Sequence, residues 1–162
     1  MLVATLMVIA VSGYAQEKEF KTILTGDVTN LKGGPGFWDF WGNEGNQPTV
    51  VDLEDNGDHY LKLYNPSGTA FHHAQLGYDF DYFLDQDKEY QLRFRAKCKS
   101  GSSQLQFQYQ NKPSYGSQGG HETFNITTEW TEFKTKKFKP GYNNVNRILI
   151  NFGQNAGTFY ID

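Results

Sequence analysis

Past its N-terminal segment, this chain repeats its apolar side chains at every second residue and never at helical spacing. No stretch of ten or more residues there places apolar residues at i, i+3, i+4 and i+7. Period-two alternation instead runs through TVVDLE (49–54), HYLKLYN (59–65), HAQLGYDF (73–80), EYQLRFRAKC (89–98), QLQFQYQN (104–111), EWTEFKTKKFK (129–139), NRILINF (146–152) and the closing GTFYID (157–162). The breaks between them carry turn chemistry: DNGD, NPSG, CKSGSS, KPSYGSQGG, KPGYNN and GQNAG. Aromatics at 16% and seventeen glycines fit the same reading. Eight or so short strands at this spacing predict an all-β fold, an antiparallel β-sandwich of the jelly-roll kind.

A strand sends successive side chains to opposite faces, so alternation also assigns faces. In 104–111, Leu105, Phe107 and Tyr109 point to the core, and Gln104, Gln106, Gln108 and Gln110 point outward. In 89–98 the core side holds Tyr90, Leu92, Phe94, Ala96 and Cys98. In 73–80, Ala74, Leu76, Tyr78 and Phe80 go in while His73, Gln75, Gly77 and Asp79 go out. In 146–152, Ile148, Ile150 and Phe152 go in while Arg147, Leu149 and Asn151 go out. A face that only has to be wet uses Thr, Lys, Glu and Ser as readily as Gln. If these strands share a sheet, Gln75, Gln106, Gln108, Gln110 and Asn151 line one solvent-facing surface.

With 162 residues, one domain is expected. A net charge of −3 offers no broad attraction to a polyanion, so nucleic acid is not an expected partner. The apolar run at 2–11, followed by small residues and Ala15, reads as a secretory signal peptide over 1–15, cleaved after Ala15. It is too short to span a membrane, and it lacks a positively charged start; an apolar first strand is the alternative. The mature module is then 16–162, secreted or held at the cell surface. Cys98 is the single cysteine and reads as a small buried apolar residue, so no disulfide framework exists.

An amide both donates and accepts without carrying charge, which matches the hydroxyls of a neutral polyol. A sugar also has apolar C–H faces that stack on aromatic rings, so such a surface needs platforms beside the amides. The candidates flanking it are Phe71, His72 and His73 ahead of Gln75, and Tyr115 in the loop KPSYGSQGG; ordinary packing is the alternative for each. Catalysis finds less support. The His72-His73 pair has no cysteine or carboxylate at a recognisable ligand spacing, and no H-E-x-x-H or G-x-S-x-G occurs. Glycoside hydrolysis needs two facing carboxylates. The cluster Asp79, Asp81, Asp85 and Asp87 reads as a solvated connection instead.

Taken in order, Trp41, NGDHYLKL, HAQLGYDF, DKEYQLRFRAK, TTEWTEFKTKKF, RILINFG and GTFYID resemble the carbohydrate-binding modules of the family 4, 9 and 22 type. The segments AQLGY and FNITTEW are most similar to modules of Bacteroidetes xylanases. The resemblance implies a galactose-binding-like sandwich that is non-catalytic and binds a single glycan chain on its concave sheet. It also implies a covalently attached glycoside hydrolase, with this chain a fragment of a longer bacterial protein. Xylan is the expected ligand, with mixed-linkage β-glucan or a cellulose chain as alternatives, and an adhesion or structural sandwich without a sugar site as a further one. By resemblance, Gln75 and Asn151 match polar ligand residues, Tyr115 the loop aromatic, and His72 stands where the family often has Trp. Related modules also hold a structural calcium ion. Asp162 matches its terminal aspartate, with Asp58 or Glu54 as further oxygen donors and TGDVT as a degraded acidic start.

Overall fold

The computed structural model describes residues 31, 36–112, 114–141 and 144–162. The expected signal peptide and the TGDVT segment lie outside the described residues. Two five-stranded sheets face each other, and every strand pairs antiparallel. The first sheet runs in the order β1 (Trp38–Gly42), β4 (Ala74–Asp79), β9 (Arg147–Asn151), β6 (Ser103–Gln110), β7 (Glu122–Ile126). The second runs β2 (Thr49–Asp55), β3 (Asp58–Asn65), β10 (Gly157–Ile161), β5 (Arg93–Cys98), β8 (Thr131–Lys134). Among the described residues the helical element is a 3-10 turn at Phe71–His73. No helix among them is long and apolar enough to cross a membrane.

The core lies between the sheets, where the inward half of each alternating run is buried. Leu76, Leu105, Phe107, Ile148 and Ile150 from the first sheet meet Leu61, Leu63, Ala96, Phe159 and Ile161 from the second. Cys98 is buried with them as a free thiol. The β2–β3 hairpin shows how local chemistry sets register. Asp55 pairs with Asp58 across Asn56 and Gly57, both in the left-handed region at φ 54° and 82°. That is the type I′ geometry which asparagine and glycine tolerate best.

Two strands differ from the sequence expectation by being present at all. β1 hides its period because tryptophan occupies both faces: Trp38 and Phe40 pack on the core, and Trp41 stands outside. β7 is a five-residue edge strand in which Phe124 and Ile126 turn inward. Two expected strands are shorter. The 89–98 run joins the sheet at Arg93, Tyr90 making only an isolated bridge to Phe138, and the 129–139 run pairs over Thr131–Lys134.

Candidate functional site

Three strands that each carry outward amides, β4, β9 and β6, are neighbours in the first sheet, and their registers align those amides in rows. One row crosses the sheet as Trp41, Gln75, Asn151, Gln106 and Thr123. The next holds Asp39, Gly77, Leu149 and Gln108, and a third holds Asp79, Arg147 and Gln110. The structure thus brings Gln75, Gln106, Gln108, Gln110 and Asn151 onto one face.

The first row is linked by side-chain hydrogen bonds from Trp41 to Gln106. The Trp41 indole Nε1 donates to Gln75 Oε1 at 2.8 Å, Gln75 Nε2 donates to Asn151 Oδ1 at 2.6 Å, and Asn151 Nδ2 donates to Gln106 Oε1 at 3.0 Å. Asn43 Nδ2 adds a second donor to Gln75 Oε1 at 2.9 Å. Buried amides linked this way are fixed in orientation, because breaking one bond strands a polar group in a low-dielectric setting.

The face is not the wet surface expected from alternation. Gln75, Gln108 and Gln110 are 8% exposed and Asn151 2%. Aromatic and cationic side chains lie over the sheet and cover it. The Trp41 ring lies against Gly77, where an added Cβ would come within 2.9 Å of it, so glycine is what lets the indole come this close to the strand. The Arg147 guanidinium sits 5.0 Å from the Trp41 ring centroid and 5.2 Å from that of Tyr115. It is held between two rings, an arrangement favoured by its planar cation. Tyr115 is 56% exposed and adopts a left-handed backbone at φ 56°, pinned by its N–H to the Asn111 carbonyl at 2.6 Å. Strain of this kind gathers where a side chain must be aimed.

Arg147 is positioned by Asp79, and here the expectation of a solvated acidic connection fails for that residue. Asp79 is 4% exposed; its carboxylate accepts from Arg147 Nε, from Arg147 Nη2 at 2.9 Å and from Lys112 Nζ at 2.6 Å. Burial alone pushes the Asp79 carboxyl up, but hydrogen bonds and charge from Arg147 and Lys112 outweigh it and hold the carboxyl below its ordinary range. Asp79 is therefore a fixed anion and a poor proton donor. Gln110, next to Arg147 in register, buries an Oε1 that has no hydrogen-bond partner among the described residues. That oxygen is a buried acceptor left without a donor.

The remaining sequence candidates fall elsewhere. Phe71, His72 and His73 form the 3-10 turn ahead of β4, with the His72 and His73 rings edge to face at 4.5 Å. Their tie to the amide row runs through the backbone: the His72 carbonyl accepts from Asn43 Nδ2, and the His73 carbonyl from Asn43 N at 3.2 Å and Asn46 Nδ2 at 2.8 Å. His73 Nδ1 faces Thr69 Oγ1 instead of the amides. The aromatic that does lie on the row is Trp41. It stands on the opposite face of β1 from Trp38 and Phe40, which pack on the core.

For the calcium expectation, Asp162 Oδ2 accepts from Arg95 Nε at 2.6 Å, Asp58 Oδ2 lies 3.1 Å from Arg95 Nη2, and Glu54 lies 3.9 Å from His59 Nε2. No group of three or more His, Cys, Asp or Glu side chains among the described residues could hold a metal ion. Among the described residues, Asp58 and Asp162 share Arg95 between them, and the TGDVT segment lies outside those residues.

The family model described as "Carbohydrate binding domain", CBM_4_9, matches residues 12–156. The chain belongs to this family. No curated protein matches the chain. Among solved structures, a CBM4 module superposes at TM-score 0.66 with 23% identity, covering 83% of this chain and 89% of that one. The CBM22-1 and GH10 modules of a Clostridium thermocellum endo-1,4-β-D-xylanase, complexed with xylohexaose, match at TM-score 0.57 and 20% identity. That match covers 77% of this chain and 25% of that one, so the chain spans about a quarter of the xylanase structure. A family 11 module of the same organism, bound to a β-1,3-1,4-mixed-linked tetrasaccharide, matches at 0.57 and 15% identity over 82% and 89%. At these identities the structures establish a shared fold: this carbohydrate-binding domain is an antiparallel β-sandwich.

Proposed function

We propose that the module binds a single chain of β-1,4-linked plant cell-wall polysaccharide, xylan foremost, along the amide face of the first sheet. One observation carries this: an indole, three linked amides and a stacked Arg147–Tyr115 pair sit on one face of a chain that belongs to a carbohydrate-binding family. Trp41 and Tyr115 supply ring faces for sugar C–H surfaces, and Gln106, part-exposed at the end of the row, supplies an amide for hydroxyls. The role is non-catalytic. By register the carboxylates of this face among the described residues are Asp39 and Asp79, and Asp79 is taken up by two cations, so these two do not make a facing acid pair for hydrolysis. Binding would hold an attached glycoside hydrolase at its substrate, outside the cell, in keeping with the signal-peptide reading of residues 1–15. Mixed-linkage β-glucan is the second reading, favoured by the likeness to the family 11 module solved with such a tetrasaccharide.

Affinity electrophoresis in gels containing xylan, mixed-linkage glucan, hydroxyethyl cellulose or mannan tests both. Retardation in xylan above the others is expected, and Trp41→Ala should weaken it by about 30-fold or more, as for a central aromatic anchor. Unchanged mobility in all four gels would overturn the reading, and strongest retardation in mixed-linkage glucan would select the second.

A further inference from the structure

The outer face of the opposite sheet carries a second aromatic cluster that the amide face does not use. Tyr60 on β3, Tyr160 on β10 and Trp130 just before β8 stand with ring centroids 5.8, 6.1 and 6.4 Å apart. They line a hollow of about 510 Å³ together with Arg95 and Lys97. Trp130 is 37% exposed, a large ring partly open to solvent. Lys97 pairs in register with Tyr160, and its Nζ lies 5.0 Å from the Trp130 ring and 5.3 Å from the Tyr160 ring.

Charge decides what such a hollow could take. Arg95 lies 5.6 Å from Trp130, but its charge is answered by Asp162 and Asp58. Asp55, the other acid at the rim, accepts from the Asn56 side chain at 2.9 Å. Lys97 has no carboxylate within ion-pair distance among the described residues, and Lys99 lines the same hollow. A cation left with only aromatic partners, beside an exposed indole face, is complementary to one anionic group attached to an apolar ring face. We propose that this hollow is a second glycan site, specific for a uronic-acid residue, whose sugar ring stacks on Trp130 and whose carboxylate pairs with Lys97. It lies on the other sheet from the amide face and does not depend on the reading given above.

The test is titration of the whole 15N-labelled chain, followed by the Trp130 indole N–H resonance. The probes are a glucuronic-acid-bearing xylo-oligosaccharide, the neutral xylo-oligosaccharide of equal length, and a sulfated galacto-oligosaccharide. The acidic sugar is expected to move the Trp130 signal saturably, the neutral one to leave it in place, and added salt to weaken the response. Lys97→Met keeps the stem but not the charge, and should weaken the acidic sugar by about tenfold or more while leaving the melting temperature near wild type. Trp130→Ala, at an exposed position, removes that reporter, and in the Trp41→Ala background it should abolish the heat of acidic-sugar binding in isothermal titration calorimetry. Trp41→Ala should remove binding at the amide face and leave the Trp130 response intact. An unmoved Trp130 signal, or one moved equally by the neutral sugar, overturns the site even where Trp41 responds. An equal or stronger response to the sulfated sugar overturns its assignment to a carboxylate.

Discussion

Replacing Asp79 by asparagine keeps the shape of a side chain and removes the charge on which Arg147 depends. The two side chains are 6% and 5% exposed, so the variant leaves a guanidinium buried with no anion facing it. Removing one partner of a buried pair costs about 3–5 kcal/mol, against less than about 1 kcal/mol for a solvent-exposed pair. For a domain of this size each kcal/mol lowers the melting temperature by about 2–4 °C, so Asp79→Asn should melt roughly 6–20 °C below wild type. Thermal and urea unfolding followed by circular dichroism measure the loss. The pH dependence gives an independent check. Because the Asp79 carboxyl is held below its ordinary value, its stabilisation is fully present above the unfolded pKa of about 3.9 and fades as pH falls through the lower folded value. Wild type and Asp79→Asn should therefore differ most near neutrality and converge in acid. A double variant, Asp79→Leu with Arg147→Met, should recover much of the loss, since an apolar pair can replace a buried ionic one. A loss below about 1 kcal/mol, or two stability curves that stay parallel into strong acid, would refute the assignment of Asp79 and Arg147 as a buried, mutually dependent pair.

Gly77→Ala should lift the Trp41 ring from the sheet; overpacking of this kind costs about 1–3 kcal/mol, and weaker polysaccharide retardation with an altered tryptophan emission spectrum would report it. Tyr115→Gly relieves a left-handed backbone that costs a side chain roughly 1–2 kcal/mol, yet removes a ring. The expected result is an undiminished melting temperature with weaker retardation in xylan gels. Chelation by EDTA should leave the melting temperature unchanged, and added calcium should not raise it, because Arg95 already neutralises Asp58 and Asp162; a calcium-dependent rise in melting temperature would place an ion at these residues.

The sandwich was legible because its strands repeat with period two and its turns carry Gly, Asn and Pro. The amide face was legible for the same reason: Gln75, the glutamines of β6 and Asn151 sit at outward positions, and β4, β9 and β6 happen to be neighbours. What alternation could not convey is depth. It marks Gln75 and Asn151 as outward, but gives no sign that Trp41, 34 positions before Gln75, bonds to it across the sheet. Asp79 was misjudged for a related reason. Its sequence neighbours Asp81, Asp85 and Asp87 suggested a solvated stretch, whereas its partners Arg147 and Lys112 are far along the chain. Trp41 escaped because a tryptophan on each face of β1 erases the contrast on which period-two reading relies.

An indole nitrogen can only donate, and this settles more than one bond. With Trp41 donating to Gln75 Oε1, the Gln75 nitrogen is left to donate onward, and so is that of Asn151, until the sequence ends at the Gln106 carbonyl oxygen. No amide in the row can flip by itself without setting like against like at both of its neighbours. The row consequently has a sense, with protons handed from β1 towards β6, and a polymer laid across those strands meets it as an arrow. A sugar chain has a reducing and a non-reducing end, and a surface polarised along one direction is able to tell them apart.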